Sequence, residues 1–164
     1  MKKAFVFDFD DTLATTKACV QVYRPDTDYT IKELSPAEFN QYELNSGEEF
    51  DFSQFRCPDL VVNGEPTELI KLAKEVYDED HGVYILTARS SDVSDAIAKF
   101  LTINGIKAKQ IICLGDGDKA TGIADNKQKA LMTIMKAYDK IYFYDDNDEN
   151  IKLAKEVGAK TYLV

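Results

Sequence analysis

Short apolar runs recur along this chain, each closed by polar or charged residues. Five of them are residues 3–9 (Lys-Ala-Phe-Val-Phe-Asp-Phe), 82–87 (Gly-Val-Tyr-Ile-Leu-Thr), 110–114 (Gln-Ile-Ile-Cys-Leu), 140–144 (Lys-Ile-Tyr-Phe-Tyr) and 160–164 (Lys-Thr-Tyr-Leu-Val). Their branched and aromatic side chains suit a pleated, covered surface, and they predict short buried strands. Between them apolar positions recur at helical spacing. Residues 66–78 bring Leu69, Ile70, Leu72, Ala73 and Val76 to one face, with Pro66 suited to a first turn. Residues 91–103 do the same with Val93, Ile97, Phe100 and Leu101, capped by Ser90 or Ser91 and closed by Gly105. Residues 126–138 supply Ala130, Leu131, Ile134 and Met135, and residues 148–157 supply Ile151, Leu153, Ala154 and Val157 before Gly158. Strands alternating with single helices predict an α/β fold, a doubly wound and mostly parallel five-stranded sheet covered on both faces. In such sheets ligands bind at the carboxyl ends of the strands.

Residues 15–65 break this rhythm. Residues 18–23 and 29–32 flank Arg24-Pro25-Asp26-Thr27-Asp28 and predict a hairpin. Ser35-Pro36-Ala37-Glu38 is a capping box that predicts a short helix to about Leu44, whereas residues 46–60 show no clear period. This hairpin-and-helix insertion after the first strand is read as part of a single domain spanning 1–164. Its aromatic residues (Tyr23, Tyr29, Phe39, Tyr42, Phe50, Phe52 and Phe55) are read as core rather than as a platform for stacking bases.

Composition narrows the class. The 164 residues suffice for one well-packed core, with 45% apolar and 30% charged residues typical of a globular protein. No apolar run reaches membrane-spanning length, and Met1-Lys2-Lys3 leads directly into the first strand rather than into a signal peptide, so no membrane partner is expected. Cys19, Cys57 and Cys113 are far apart and lack zinc-ligand spacing, which predicts reduced thiols in a cytoplasmic protein. His81, the one histidine, lies in a polar turn and is discounted as part of a Ser-His-Asp triad. A net charge of −9 disfavours extended nucleic-acid binding but leaves room for an enzyme that grips one nucleotide or nucleic-acid end through a few local cations.

The candidate chemistry lies where the strands end. The first strand closes on Asp8 and is followed by Asp10 and Asp11; the second closes on Thr87, within Leu86-Thr87-Ala88-Arg89. Lys127 and Lys129 stand near the start of the helix before the 140–144 strand, and that strand is followed by Asp145-Asp146. A parallel sheet gathers these groups at one edge. Carboxylates that face one another make a hard-oxygen site for Mg²⁺, which takes few protein ligands together with water and phosphate. A hydroxyl, a lysine and backbone N–H groups beside them would bind phosphate oxygens. An ionised aspartate can attack phosphorus, and a second carboxylate can protonate the leaving oxygen and then activate water.

Four of these elements resemble the motifs of the haloacid dehalogenase-like (HAD) superfamily, in that family's order: "FDFDDTLA", "ILTAR", "NKQKAL" and "FYDDNDEN". The resemblance spans residues 4–150 and implies a Rossmann-like phosphatase of small-cap type that uses Mg²⁺. It implies that Asp8 is the nucleophile and forms an aspartyl-phosphate. Asp10 would be the general acid/base, with its backbone carbonyl on the metal. Thr87 would hydrogen-bond the phosphoryl group and Lys127 would bind it, Lys129 being the alternative lysine. Asp146 would ligate Mg²⁺ alongside Asp8, with Asp145 and Asn150 in support and Thr12 shaping the first loop. Arg89 is left open between a surface residue and a substrate grip. The presence of Asp10 argues against dehalogenation, since dehalogenases of the superfamily lack it.

The expected substrate is a phosphorylated small molecule or nucleotide, with a nucleic-acid end also open because an insertion of this size leaves the site partly uncovered. "LGDGDK" at 114–119 is expected to be a polar turn, and its place at a strand's carboxyl end leaves a substrate contact open. Two other classes compete: a phosphorylation-receiver module and a catalytically silent partner-binding protein. The Asp-x-Asp spacing disfavours the first. The joint presence of Asp8, Asp10, Thr87, Lys127 and Asp146 disfavours the second.

Overall fold

The alternation of side chains along the first strand sets the layering of the molecule. Ala4 and Val6 pack to one side of it, Phe5 and Phe7 to the other, and all four are buried. The computed structural model describes residues 3–27, 29–117 and 121–164. Numbered along the chain, its first elements are β1 (Ala4–Phe7), β2 (Ala14–Thr15), β3 (Val20–Arg24), β4 (Tyr29–Leu34), α1 (Pro36–Phe39) and β5 (Glu49–Asp51). They are followed by α2 (Pro58–Val62), β6 (Glu65–Pro66), α3 (Ile70–Asp78), β7 (Gly82–Thr87) and α4 (Ser94–Ile103). The chain ends with β8 (Gln110–Cys113), α5 (Ile123–Met135), β9 (Ile141–Asp145), α6 (Asp148–Glu156) and β10 (Lys160–Leu163).

The central sheet is parallel throughout, in the order β10-β9-β1-β7-β8. β1 lies in the middle, with Phe7 paired to Ile85 on one side and to Tyr144 on the other. One face is covered by α2, α3 and α4, whose Val61, Ala73, Val76, Ile97 and Phe100 join Phe5, Phe7 and Ile85 in one core. The other is covered by α5 and α6, whose Leu131, Ile134 and Ala154 join Val6, Leu86 and Phe143 in a second. The doubly wound five-stranded sheet expected from the sequence is therefore present, and its register brings the ends of β1, β7 and β9 to one level.

Local details differ from expectation where tertiary contacts outweigh periodicity. Pro66 does not open a helix; it pairs with Ala14 in the two-residue ribbon β2–β6. Thr67 then ties that ribbon to the loop after β1, its N–H donating to Leu13 O at 2.9 Å and its Oγ1 to Thr12 O at 2.5 Å. α3 consequently starts at Ile70. The helix from Ser35 forms its capping box but lasts a single turn, α1. The aperiodic stretch 46–60 contains β5, a 3-10 turn at Ser53–Arg56 and the start of α2, each too short to show a period.

The segment between β2 and β6 builds an antiparallel sheet, β4-β3-β5, over the small cluster Val20, Val22 and Leu34. The hairpin is as expected in kind, with a bulge between Val22 and Tyr23; Asp28 of its turn lies outside the described residues. α2 departs from the rest of the insertion, because Val61 is buried in the main core. Among the described residues no helix is long and apolar enough to cross a membrane.

Candidate active site

The backbone after β1 turns sharply. Phe9 O accepts the N–H groups of Thr12, Leu13 and Ala14, and Asp11 adopts a left-handed φ of 59°. This turn holds Asp8 and Asp10 at the carboxyl end of the sheet, where a short acidic side chain tolerates the left-handed residue beside them.

Asp8, Asp145 and Asp146 each offer a carboxylate oxygen, all within 4.8 Å of one another. Lys127 reaches this group because α5 carries a buried stripe of Lys127, Leu131 and Ile134, with the lysine at the end nearest the site. Its Nζ donates to Asp8 Oδ1 at 3.1 Å and to Asp145 Oδ2 at 2.7 Å. Lys129 is exposed on the same helix. Asp145 is fully buried and well satisfied: Oδ1 accepts from Asn147 N at 2.9 Å, and Oδ2 also accepts from Asn150 Nδ2 at 3.1 Å. Asn147 caps α6 by accepting from Asn150 N at 3.0 Å, which fixes the helix that carries Asn150. The Thr12 hydroxyl makes a long approach to Asp8 Oδ2, at 3.4 Å, and the Asp146 carboxyl also comes within hydrogen-bonding reach of Asp8.

Three carboxylates share one ammonium, and the balance shows in their proton affinities. Burial pushes the Asp8 carboxyl well above the ordinary range; Lys127 draws it down, while Asp145 and Asp146 push it further up. Burial also raises Asp146. Burial alone would disfavour the Lys127 ammonium, but the charges of Asp8 and Asp145 outweigh it and hold the amine protonated. The cluster carries surplus negative charge that a proton or a cation would relieve.

Asp10 stands apart from this trio. Its carboxylate is clasped by Arg89 through two parallel bonds, Nε to Oδ2 at 2.8 Å and Nη2 to Oδ1 at 2.7 Å. Arg89 is itself buried. Its Nη1 donates to Phe55 O at 2.9 Å, its Nη2 to Thr16 Oγ1 at 3.2 Å, and the guanidinium lies 4.9 Å from the centre of the Phe55 ring. Of the two expectations for Arg89, a surface position is corrected, since the residue is buried and all three of its nitrogens are engaged by the protein. Thr87 is buried at the end of β7, its Oγ1 accepting from Arg89 N at 3.1 Å.

The turn at 114–117 braces this loop. A Cβ on Gly115 would lie 2.4 Å from Ala88 O, so only glycine permits the approach. Asp116 accepts from Ser90 Oγ at 2.7 Å and from Ser91 N at 3.2 Å. Asp118 and Lys119 of the same motif lie outside the described residues. His81 sits at the opposite, amino end of β7, where its Nδ1 accepts from Lys3 N. The parts sequence reasoning missed are Phe55 O and the Thr16 hydroxyl; Asp116 lies in the turn it had singled out, but its bonds to Ser90 and Ser91 were not foreseen. A backbone oxygen carries no sequence signal, and the other contacts became visible only when loops met.

A cavity of about 650 Å³ opens over these groups. Asp8, Asp10, Lys127, Asp145, Asp146 and Asn150 line its floor, and Phe39, Asn40, Phe52, Phe55 and Arg56 of the insertion line its far wall.

No family model matches the sequence, and a search of curated proteins finds no match. Solved structures do resemble it. A HAD-superfamily hydrolase of subfamily IA from Geobacter sulfurreducens superposes with a TM-score of 0.61 at 13% identity, covering 99% of this chain and 89% of the other. A haloacid dehalogenase-like hydrolase from Streptococcus pneumoniae gives 0.56 at 15% identity, covering 99% and 84%. A HAD family enzyme from Bacteroides thetaiotaomicron, crystallised with magnesium and inorganic phosphate, gives 0.54 at 14% identity, covering 99% and 94%. The fold is that of the haloacid dehalogenase-like hydrolases.

Proposed function

We propose that this protein is a Mg²⁺-dependent phosphomonoester hydrolase working through an aspartyl-phosphate on Asp8. The observation that carries the reading is the Asp8 carboxylate, which faces a cavity beside Lys127 and lies within a surplus of negative charge. The donor set suits the metal: hard carboxylate oxygens from Asp8 and Asp146, with Asp145 braced behind them by Lys127 and Asn150. When bound, Mg²⁺ would neutralise phosphoryl charge and so favour approach of one anion to another.

The residues divide the remaining work. Asp8 Oδ2 attacks phosphorus, and the bond to the leaving oxygen breaks. Lys127 and the Thr87 loop hold the phosphoryl oxygens. Asp10, entering the step as the carboxylic acid, donates its proton to the leaving oxygen, and the carboxylate left behind takes one back from the water that hydrolyses the acyl phosphate and frees Asp8. For this, Asp10 must part from at least one arm of the Arg89 fork. Arg89 also holds Phe55 O, so a shift of the insertion is the natural trigger. The magnesium and phosphate bound by the Bacteroides enzyme support the same reading.

Phosphate release from p-nitrophenyl phosphate, measured with Mg²⁺, with EDTA and with Asp8→Asn, tests it. Turnover is expected only with metal and is expected to fall at least about a thousandfold in the variant, as for loss of a covalent nucleophile. Turnover that survives Asp8→Asn would remove the nucleophile assignment. Silence across a panel of esters, in folded protein, would favour a partner-binding role.

A further inference from the structure

The two ends of the cavity differ in chemistry. The floor carries Asp8, Lys127 and Asp146, whereas the wall supplied by the insertion is built on Phe39, Phe52 and Phe55. Phe52 is 46% exposed and lines the cavity, so one side of its ring is open to an occupant. It is nevertheless held in place: its ring meets Phe39 edge-on at 5.4 Å, and Phe39 meets Phe50 edge-on at 4.9 Å. The wall is therefore a braced aromatic shelf. Next to it the exposed Asn40 amide offers a donor and an acceptor, and Arg56 offers a cation.

We infer that this shelf receives a planar heteroaromatic ring, and that the substrate class is the nucleoside monophosphates, with phosphate on the floor and base on the shelf. The inference rests on the phosphatase reading and names its substrate. A cavity of about 650 Å³ is of a size that encloses a whole small molecule, far more than a phosphate group fills. Sugar phosphates need many hydrogen-bonding partners, and the insertion's wall offers only an amide and a guanidinium among aromatic rings. A nucleobase matches what is there: two faces that stack, and an edge that an asparagine can read. A polynucleotide end fits less well, because a strand needs a basic track. The chain carries a net charge of −9, and Glu149 lines the cavity beside Asp146.

Ribose 5-phosphate is the informative control, since it keeps the phosphate and spacer and lacks only the base. The wild-type protein with Mg²⁺ is expected to prefer adenosine or uridine 5′-monophosphate over ribose 5-phosphate by about tenfold or more in kcat/KM, and Phe52→Ala to cut that preference about tenfold, the scale of one stacking interaction. Phe52→Leu serves if the alanine variant does not fold. Equal or better turnover of ribose 5-phosphate overturns the inference, as does a preference for 3′-phosphorylated oligonucleotides. Either result leaves the phosphatase reading intact. If no ester is turned over, that reading fails instead. Calorimetric binding of adenosine 5′-monophosphate against ribose 5-phosphate then decides the shelf by itself, equal affinities counting against it.

Discussion

Two charged clusters meet in this cavity and are built on opposite principles. On the floor, one lysine serves two carboxylates directly, with a third alongside, and all three acids come from the ends of neighbouring strands β1 and β9. Toward the insertion, one arginine serves one carboxylate and uses its remaining donors on Thr16 and Phe55. The first cluster is buried and short of positive charge. The second is balanced in charge, and one of its anchors is a backbone oxygen in the short 3-10 turn, Ser53–Arg56, that follows β5. The difference teaches a division of labour: the sheet edge gathers the carboxylates and their lysine, and the arginine ties Asp10 to the insertion through Phe55 O.

The largest effect is expected from breaking the floor. Lys127→Met leaves Asp145 fully buried without its cation, which typically costs about 3–5 kcal/mol. Urea denaturation should show that loss together with loss of activity. A stability near wild type would mean that Asp145 finds its compensation elsewhere.

Arg89→Lys tests the other cluster with a smaller expected effect. Lysine cannot keep two parallel bonds to Asp10 and also reach Phe55 O. A loss of about 1–3 kcal/mol is expected, along with faster limited proteolysis within residues 16–56. Equal proteolysis in both proteins would show that the arginine does not anchor the insertion.

A third pair, away from both clusters, gives the smallest effect. Tyr84 and Tyr138 share a hydroxyl hydrogen bond of 3.0 Å, and burial first, then that bond, pushes the Tyr84 phenol up to about 12. Because the folded state favours the neutral phenol, its contribution is complete below the ordinary value of 10 and is lost as pH rises toward about 12. Tyr84→Phe should cost about 1 kcal/mol at neutral pH and should flatten the alkaline decline in melting temperature. An unchanged decline would assign it to other groups.

Much of the floor was legible in the sequence because it is made by strand ends. An apolar run followed by Asp8, another followed by Asp145-Asp146, and parallel strands between them imply convergence without knowledge of any angle. Lys127 was harder to separate from Lys129 by sequence alone, since both lie on one helix; its place on the stripe with Leu131 and Ile134 sends it inward. The second cluster was not legible in the same way. Arg89 follows Thr87 by two residues, which marks it as near the site, yet nothing local says that its fork meets Asp10 and a carbonyl at Phe55. The insertion was also hard to read, since β5 and α2 are shorter than one full repeat of the patterns that reveal strands and helices.

The sequence by itself determined the layering, the strand ends and the residue types gathered there. Periodicity and burial act over a few residues and survive without long-range information. Only the tertiary structure decided which cation meets which carboxylate and which aromatic rings face the cavity. Those choices depend on distances between segments far apart in the chain, where a shift of a few ångströms separates a paired charge from an unpaired one.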